Sequence, residues 1–479
     1  MGSISEAFPE YAATGKLDHL RSTQYSYLEK QDHAYLDYTG AGLAARAQYE
    51  EHLRRLTSST FGNPHSANPT SQLSTELVER TRKRVLDYLN ASPTEYTAIF
   101  TANATGAIRL VGEGYPFARH SRLVLTSDNH NSVNGLREFA SRAGGRVVYV
   151  PMRSPDLRID TATVEAALCR PKPRLFARPH RALFAFPAQS NFTGVRHPLS
   201  WVKMAQNQGY DVLLDAAAYL PTATLDLSAV KPEFVVVSWY KLFGFPTGVG
   251  CLIVRRDALA RLSRPWFSGG AVKAVTVGVL WHMQADDEAA FEDGTVNFLS
   301  IPDVHFGLDW LCAIGMDLIS TRVRCLTGWT IKRLQSLEHS DGSPMVRIYG
   351  PKGTDARGGT VSFSLFDAAG RMVDERLVAA ESAAANISLR TGCFCNPGAG
   401  ENAFGIRVDV AASQRLTRAR ETSLDEILRV LKLPTAGAIR VSFGIASNVD
   451  DIDRFVDFAE RTYRDRTTTA DGLPPRSGC

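Results

Sequence analysis

Six short apolar runs constrain what this chain can fold into: RLVLTS (122–127), GRVVYVPM (145–152), LFAFPA (183–188), DVLLDAAA (211–218), EFVVVSW (233–239) and GCLIVR (250–255). Each is apolar at consecutive rather than alternate positions, so the strand it forms must be covered on both faces. Helix-length segments such as 133–143 and 199–208 separate them, and this alternation builds a mostly parallel sheet with helices on both sides. The chain is therefore read as α/β. From about residue 303 the pattern changes to the long helical segments VHFGLDWLCAIG and LISTRVRCLTGWTIKRLQSLEH. Strand-like MVRIYG, GGTVSFSLFD and AIRVSFGIAS follow, with a last helix, DDIDRFVDFAERTYRD, capped near Asn448. The expected organisation is an N-terminal segment over 1–30 packing on both domains, a large domain over 31–300, a smaller α+β domain over 301–465 and a flexible tail over 466–479.

Composition narrows the partners. Lysine and arginine total 54 against 50 acidic residues, and no run of like charges forms a basic arm or an acidic tail, so small molecules or proteins are expected rather than nucleic acid. The start, MGSISEAFPEYAATG, lacks a basic and apolar leader, and no apolar stretch approaches the length that crosses a bilayer. Glu6 stands where a myristoylation motif needs Ser or Thr. A cytoplasmic protein without a membrane partner is expected. Seven scattered cysteines (169, 251, 312, 325, 393, 395 and 479) argue for reduced thiols. Cys393 and Cys395 share the glycine-punctuated loop SLRTGCFCNPGAGEN. Tetrahedral metal sites need further ligands at characteristic spacings, and none follow this C-x-C pair, so no metal is expected and Cys393 is a bystander or a resolving thiol.

A single lysine, Lys241, stands between two of the buried runs, in SWYKLFGFPTG. It either snorkels into water or is held dry, where burial lowers its pKa and makes it a nucleophile for a carbonyl cofactor. Pyridoxal phosphate would need such a lysine, an acid at its ring nitrogen, a phosphate cup and a group over the ring. Asp215 ends DVLLD at the carboxyl end of a strand, where α/β folds place ligands, although it could equally cap a helix. FTANATGAI (100–108) runs from a strand into a helix start that suits a phosphate, with Ala104 and Thr105 in it and Ser238 adding a hydroxyl. His130, in TSDNHNSV, is placed to lie over the ring, though a lone loop histidine is commonly a surface residue.

The segments YLDYTGAG (35–42), FGNPHS (61–66), FTANATGAI, DNHNSVNGLRE (128–138), SNFTG (190–194), LLDAAAY, SWYKLFGFPTGVG, WFSGG (266–270), FEDGTVNFLSI (291–301) and RTGCFCNPGAG (390–400) occur in that order. Together they closely resemble the amino-terminal domain of molybdenum cofactor sulfurases, in the class V aminotransferase superfamily with cysteine desulfurases. The resemblance implies fold type I of the pyridoxal phosphate enzymes, with a seven-stranded sheet. It implies Lys241 as the Schiff-base lysine, Asp215 as the pyridinium partner and His130 as the stacking imidazole and proton shuttle. Ala104, Thr105, Ser238 and Tyr240 fall at the phosphate, and Thr295 aligns with a threonine donated by the partner subunit, which implies a homodimer. Asn191 lies near cofactor and substrate, and Arg440 aligns with the arginine that clamps the substrate carboxylate.

Cys395 lies five residues after Arg390, the spacing at which desulfurases place the cysteine that takes sulfur from L-cysteine as a persulfide and leaves alanine. Arg390 and the glycine-rich loop are expected to keep that thiol acidic and able to move. Two departures stand out. Ala218 occupies a position where desulfurases carry a histidine or glutamine against the cofactor's phenolic oxygen, for which Asn191 or a water is the expected substitute. The eukaryotic sulfurases also continue into a cofactor-binding carboxyl-terminal domain for which this chain, ending at 479, is expected to have no room, which leaves the sulfur acceptor open, a separate protein being one candidate. The same residues fit a lyase or aminotransferase-like tailoring enzyme of secondary metabolism acting on another amino acid, and a cofactor-free scaffold is the reading from a different class.

Overall fold

The computed structural model describes residues 2–169, 181–406, 423, 425–426, 428 and 437–476. Its central sheet holds β1 (Tyr96–Thr101), β2 (Arg122–Thr126), β3 (Arg146–Val150), β4 (Ala182–Pro187), β5 (Asp211–Asp215), β6 (Phe234–Ser238) and β7 (Gly250–Arg255), in the order β1-β7-β6-β5-β4-β2-β3. β7 runs antiparallel to β1 and β6, and every other pair is parallel. All six runs that open the sequence analysis are strands here. β4 and β6 are buried at every position, which is why their sequences are apolar without alternation.

Register decides what the sheet can do. Pro187 pairs with Asp215 and Asp215 with Val236, while Ser238 and Thr101 both pair with Gly250. The carboxyl ends of β1, β4, β5 and β6 and the start of β7 therefore lie along one edge. Gly250 is required there: a Cβ on it would fall 2.4 Å from the Asn103 carbonyl carbon, so only glycine lets β7 pass under the helix Ala104–Gly114. That helix starts at Asn103, whose side chain accepts from the Gly106 amide at 2.9 Å.

A second, antiparallel sheet is built from β8 (Val346–Tyr349), β9 (Thr360–Leu365), β10 (Arg390–Gly392) and β11 (Ala438–Ser442), in the order β8-β9-β11-β10. The segment Ala34–Tyr35 pairs in parallel with Ile387–Ser388, and Asp37 bridges to Ser442. Residues 34–37, distant in sequence, thus join the side of this sheet that holds Arg390 and Arg440. The first thirty residues are anchored by charge: Arg21 binds Asp451 through both terminal nitrogens (2.6 and 3.0 Å), and fully buried Arg322 binds Thr14 and Asp18. Near the other end, Arg476 pairs with Asp374, Glu375 and Asp425.

Glu233, just before β6, is buried. It accepts from the Val212 amide (2.7 Å) and from Gln206 (3.0 Å), while Arg255 lies 3.6 Å away. Burial pushes its pKa up to about 7 from an ordinary 4.5. The folded chain thus holds this proton more tightly than the unfolded chain does. Its contribution favours folding fully below about pH 4.5 and is lost as the pH rises through 7. Glu233→Gln is expected to flatten the dependence of unfolding free energy on pH between 5 and 8, by up to about 3 kcal/mol, as measured by denaturant titrations at each pH.

Candidate active site

The common edge of the sheet opens on a cavity of about 420 Å³. Eight expected residues wall it: Ala104, Thr105, His130, Asn191, Asp215, Ser238, Tyr240 and Lys241. Lys241 reaches it because β6 turns at Ser238 into the short helix Trp239–Phe243. Gly244 ends that helix at φ +79°, with Ala44 so close that a Cβ would meet its amide nitrogen at 2.2 Å. The glycine after KLF is therefore what holds the lysine turn against the chain at 43–44.

Lys241 forms no hydrogen bond among the described residues. Desolvation pulls its pKa below the ordinary lysine value; Arg440 and Arg390 pull the same way, against the opposing pull of Asp215. Asp215 is 8% exposed. One carboxylate oxygen accepts from the Ala217 amide at 3.0 Å, and the other has no protein partner among the described residues. His130 accepts from the Ser132 amide through Nδ1 at 3.1 Å, which leaves the proton of the neutral ring on Nε2. Burial, with Lys241 second, lowers its pKa, so the neutral ring is favoured. Thr105 and Ser132 share a hydroxyl contact at 2.8 Å, and the Ser238 hydroxyl accepts from the Ala104 amide at 3.0 Å. Burial raises the Tyr240 pKa.

This donor set fits pyridoxal phosphate. A buried carboxylate with an unpaired oxygen suits a protonated ring nitrogen, a dry amine suits the aldehyde, and hydroxyls at a helix start suit the phosphate. Two residues that the sequence analysis passed over also belong here. Gln189, 3% exposed, walls the cavity beside Ala218, and its Oε1 accepts from Arg196 at 3.0 Å. With its oxygen so engaged, its NH₂ end is left as a donor, the function missing at Ala218. The signal was an alternation, since Pro187, Gln189 and Asn191 all face the cavity.

The second is Asp37 of YLDYTGAG. Arg390 and Arg440 are direct partners across β10 and β11, which puts both side chains on one face. Arg440, 2% exposed, donates to Asp37 Oδ1 at 2.9 Å, and Arg390 donates to Oδ2 from Nε and Nη2 at 2.9 and 2.6 Å. The Arg440 Nε is buried with no partner among the described residues. Desolvation lowers the Arg440 pKa against Asp37, while the Asp37 hydrogen bond raises that of the more exposed Arg390. A lone charge in the otherwise uncharged segment YLDYTGAG was the available signal.

The remaining expected residues lie outside the cavity wall. Arg440 and Arg390 meet at Asp37, and Arg440 also donates to the carbonyl of the wall residue Asn191. Thr295 is exposed, accepts from Asn63 at 3.2 Å and lines a neighbouring cavity of about 360 Å³. Cys395 is half-buried, and its carbonyl accepts from the Asn131 amide at 2.7 Å, beside His130. Its loop is pinned: Asn191 donates to the Phe394 carbonyl at 2.8 Å, and Asn396 donates to Asn191 Oδ1 at 2.8 Å. Cys393 is buried and disulfide-bonded, which corrects the expectation of reduced thiols at that position. Cys479 lies outside the described residues. Among the described residues no cluster of histidine, cysteine or acidic side chains could hold a metal ion, and no helix is long and apolar enough to cross a membrane.

The fold and site are those of a pyridoxal phosphate-dependent enzyme of fold type I. The sequence profile of the class-V aminotransferases matches residues 34–455, and the chain belongs to that family. It is 36% identical to the molybdenum cofactor sulfurase of Homo sapiens, over 95% of this chain and 53% of that protein. With the molybdenum cofactor sulfurase of Solanum lycopersicum it shares 34% identity, over 98% of this chain and 60% of the relative. The chain thus spans little more than half the length of these relatives. Among solved structures, the apo cysteine desulfurase of Thermococcus onnurineus NA1 superposes with a TM-score of 0.74 at 21% identity, covering 93% of this chain and 97% of that one.

Two outcomes check the site. After borohydride reduction of the loaded protein, the mass of the cofactor is expected on the peptide containing Lys241 in the wild type, and absent in Lys241→Ala. Asp37→Asn leaves a buried guanidinium without its counter-charge and is expected to destabilise the fold by about 3 kcal/mol in denaturant titration.

Proposed function

We propose that this protein is a cysteine desulfurase-type enzyme that takes sulfur from L-cysteine onto Cys395 and releases alanine. The observation that carries the reading is the seating of the Cys395 backbone on Asn131, next to His130 at the cofactor cavity. A thiol on a loop pinned to the site wall is superfluous in plain transamination. The similarity to molybdenum cofactor sulfurases and the family match support the same reading.

Bound pyridoxal phosphate supplies a conjugated electron sink for bond cleavage next to the amino acid's α-carbon. The chain's own residues do the rest. Arg440, whose Nε–H has no partner among the described residues, receives the substrate carboxylate, while Asp37 holds its Nη2 and the Asn191 carbonyl its Nη1. Lys241, its pKa lowered, is available as the base for the α-proton. The Cys395 thiolate attacks the substrate sulfur: an S–S bond forms, the substrate Cβ–S bond breaks, and its electron pair and a proton remain on the carbon skeleton as alanine. A thiol reductant then discharges the persulfide as sulfide, or an acceptor protein takes it.

One observation favours a second reading, a lyase or aminotransferase-like enzyme acting on another amino acid: Cys395 is not among the residues that wall the cavity. The surface supports a homodimer. The hairpin Val272–Thr276 and Trp281–Gln284 exposes Val277, Val279, Leu280 and Trp281, an apolar patch that a second copy would cover, and Thr295 would then reach the neighbouring site. A cytoplasmic location belongs to the same proposal.

Purified protein given L-cysteine and a thiol reductant is expected to release sulfide and alanine in equal amounts. Cys395→Ala should lower sulfide release at least about 100-fold while keeping bound cofactor. Sulfide release undiminished by the substitution overturns the persulfide route and leaves the second reading.

A further inference from the structure

Four arginines converge on the loop between Pro351 and Gly358 that leads into β9. Arg357 is 4% exposed; it donates to the Thr360 carbonyl from Nε and Nη2 (3.3 and 3.0 Å) and to the Pro351 carbonyl from Nη1. Arg158 donates to the carbonyls of Asp355 and Ala356 at 2.5 and 3.4 Å. Arg196 donates to Gln189, and to the Thr222 carbonyl and hydroxyl at 3.0 and 2.9 Å. Among the described residues none of these three guanidiniums forms an ion pair with a carboxylate. The fourth, Arg324, pairs with Glu10 at 2.8 Å. Three of them, Arg196, Arg324 and Arg357, line a cavity of about 250 Å³ together with Ser320, Thr354 and Asp355.

Carbonyls satisfy N–H groups but leave the charge uncompensated, and buried cations without a counter-charge are costly. Burial and the nearby Arg158 lower the Arg357 pKa, and burial lowers that of Arg196. The Asp355 carboxylate, on an exposed residue of the loop, is the one acid in the lining. Elsewhere this chain pairs its buried arginines with acids, as at Arg21, Arg82 and Arg322, so the exception sits at a cavity.

We propose that this cavity is a second anion site that binds a phosphate group, free or as the end of a small phosphate monoester, apart from the cofactor cavity. Three guanidiniums in one lining supply more N–H donors than one carboxylate can accept, and a phosphate offers further oxygens and a second charge. Arg196 touches both places, since its Nε holds the Gln189 side chain that walls the cofactor cavity.

The test uses protein loaded with pyridoxal phosphate, so that the cofactor's own phosphate residues are occupied. Inorganic phosphate, glycerol phosphate and malonate are titrated against chloride at matched ionic strength, following Tm and binding heat. Phosphate is expected to raise Tm saturably, and Arg196→Gln and Arg324→Gln should each weaken its binding at least tenfold. Glycerol phosphate binding at least as tightly as phosphate identifies the monoester as ligand; its failure to bind identifies free phosphate. The proposal is overturned by a shift no larger than that of chloride, by malonate binding as tightly as phosphate, by unchanged binding in both variants, or by release of cofactor during the titration. None of these outcomes depends on whether L-cysteine is the substrate.

Discussion

The site rests on an amine and a carboxylate kept dry at one edge of a sheet. Taking an unpaired ammonium out of water is costly, so Lys241, its pKa pulled down by desolvation, is a standing cost to the fold. The strands beneath it supply the offset. Val235, Val236 and Val237 are fully buried, and each side chain contributes about 1.5–3 kcal/mol. The cavity can stay polar because everything under it is apolar.

The second sheet contributes charge placement. Arg390 and Arg440 face each other only because β10 and β11 pair in one register, and a shift of one residue would turn one of them to the opposite face. Asp37 arrives from the far end of the sequence through the bridge to Ser442. The small sheet therefore ties Arg440 and the strand that leads into the Cys395 loop to a single acid, Asp37.

The sheet was legible because burial on both faces leaves an unambiguous mark, uninterrupted apolar runs. The lysine, the aspartate and the helix start were legible for a related reason: each stands at the end of such a run, where the topology allows a ligand. Gln189, Asp37 and the arginine cavity were not. Asp37 meets β10 and β11 across some 350 residues, and no local pattern records such a contact; Gln189 is held by Arg196 only seven residues on, but the alternation that marks it says nothing of which face borders a cavity. Cys395 was legible as a candidate through its spacing from Arg390, but its position outside the cavity wall was not, because loop conformation depends on what pins it.

That pinning has a mechanical consequence. Phe394 and Cys395 are consecutive non-glycine residues with positive φ, +56° and +52°, a conformation that costs of order 1–3 kcal/mol per residue. It persists because Asn191 holds the Phe394 carbonyl, Asn131 holds the Cys395 carbonyl, and Arg440 lies 4.7 Å from the centre of the Phe394 ring. Two of these restraints, Asn191 and Arg440, also bond each other, Arg440 Nη1 donating to the Asn191 carbonyl at 3.0 Å. Loosening either side chain weakens the hold on a strained loop, so the Phe394–Cys395 conformation depends on Asn191 and Arg440 together.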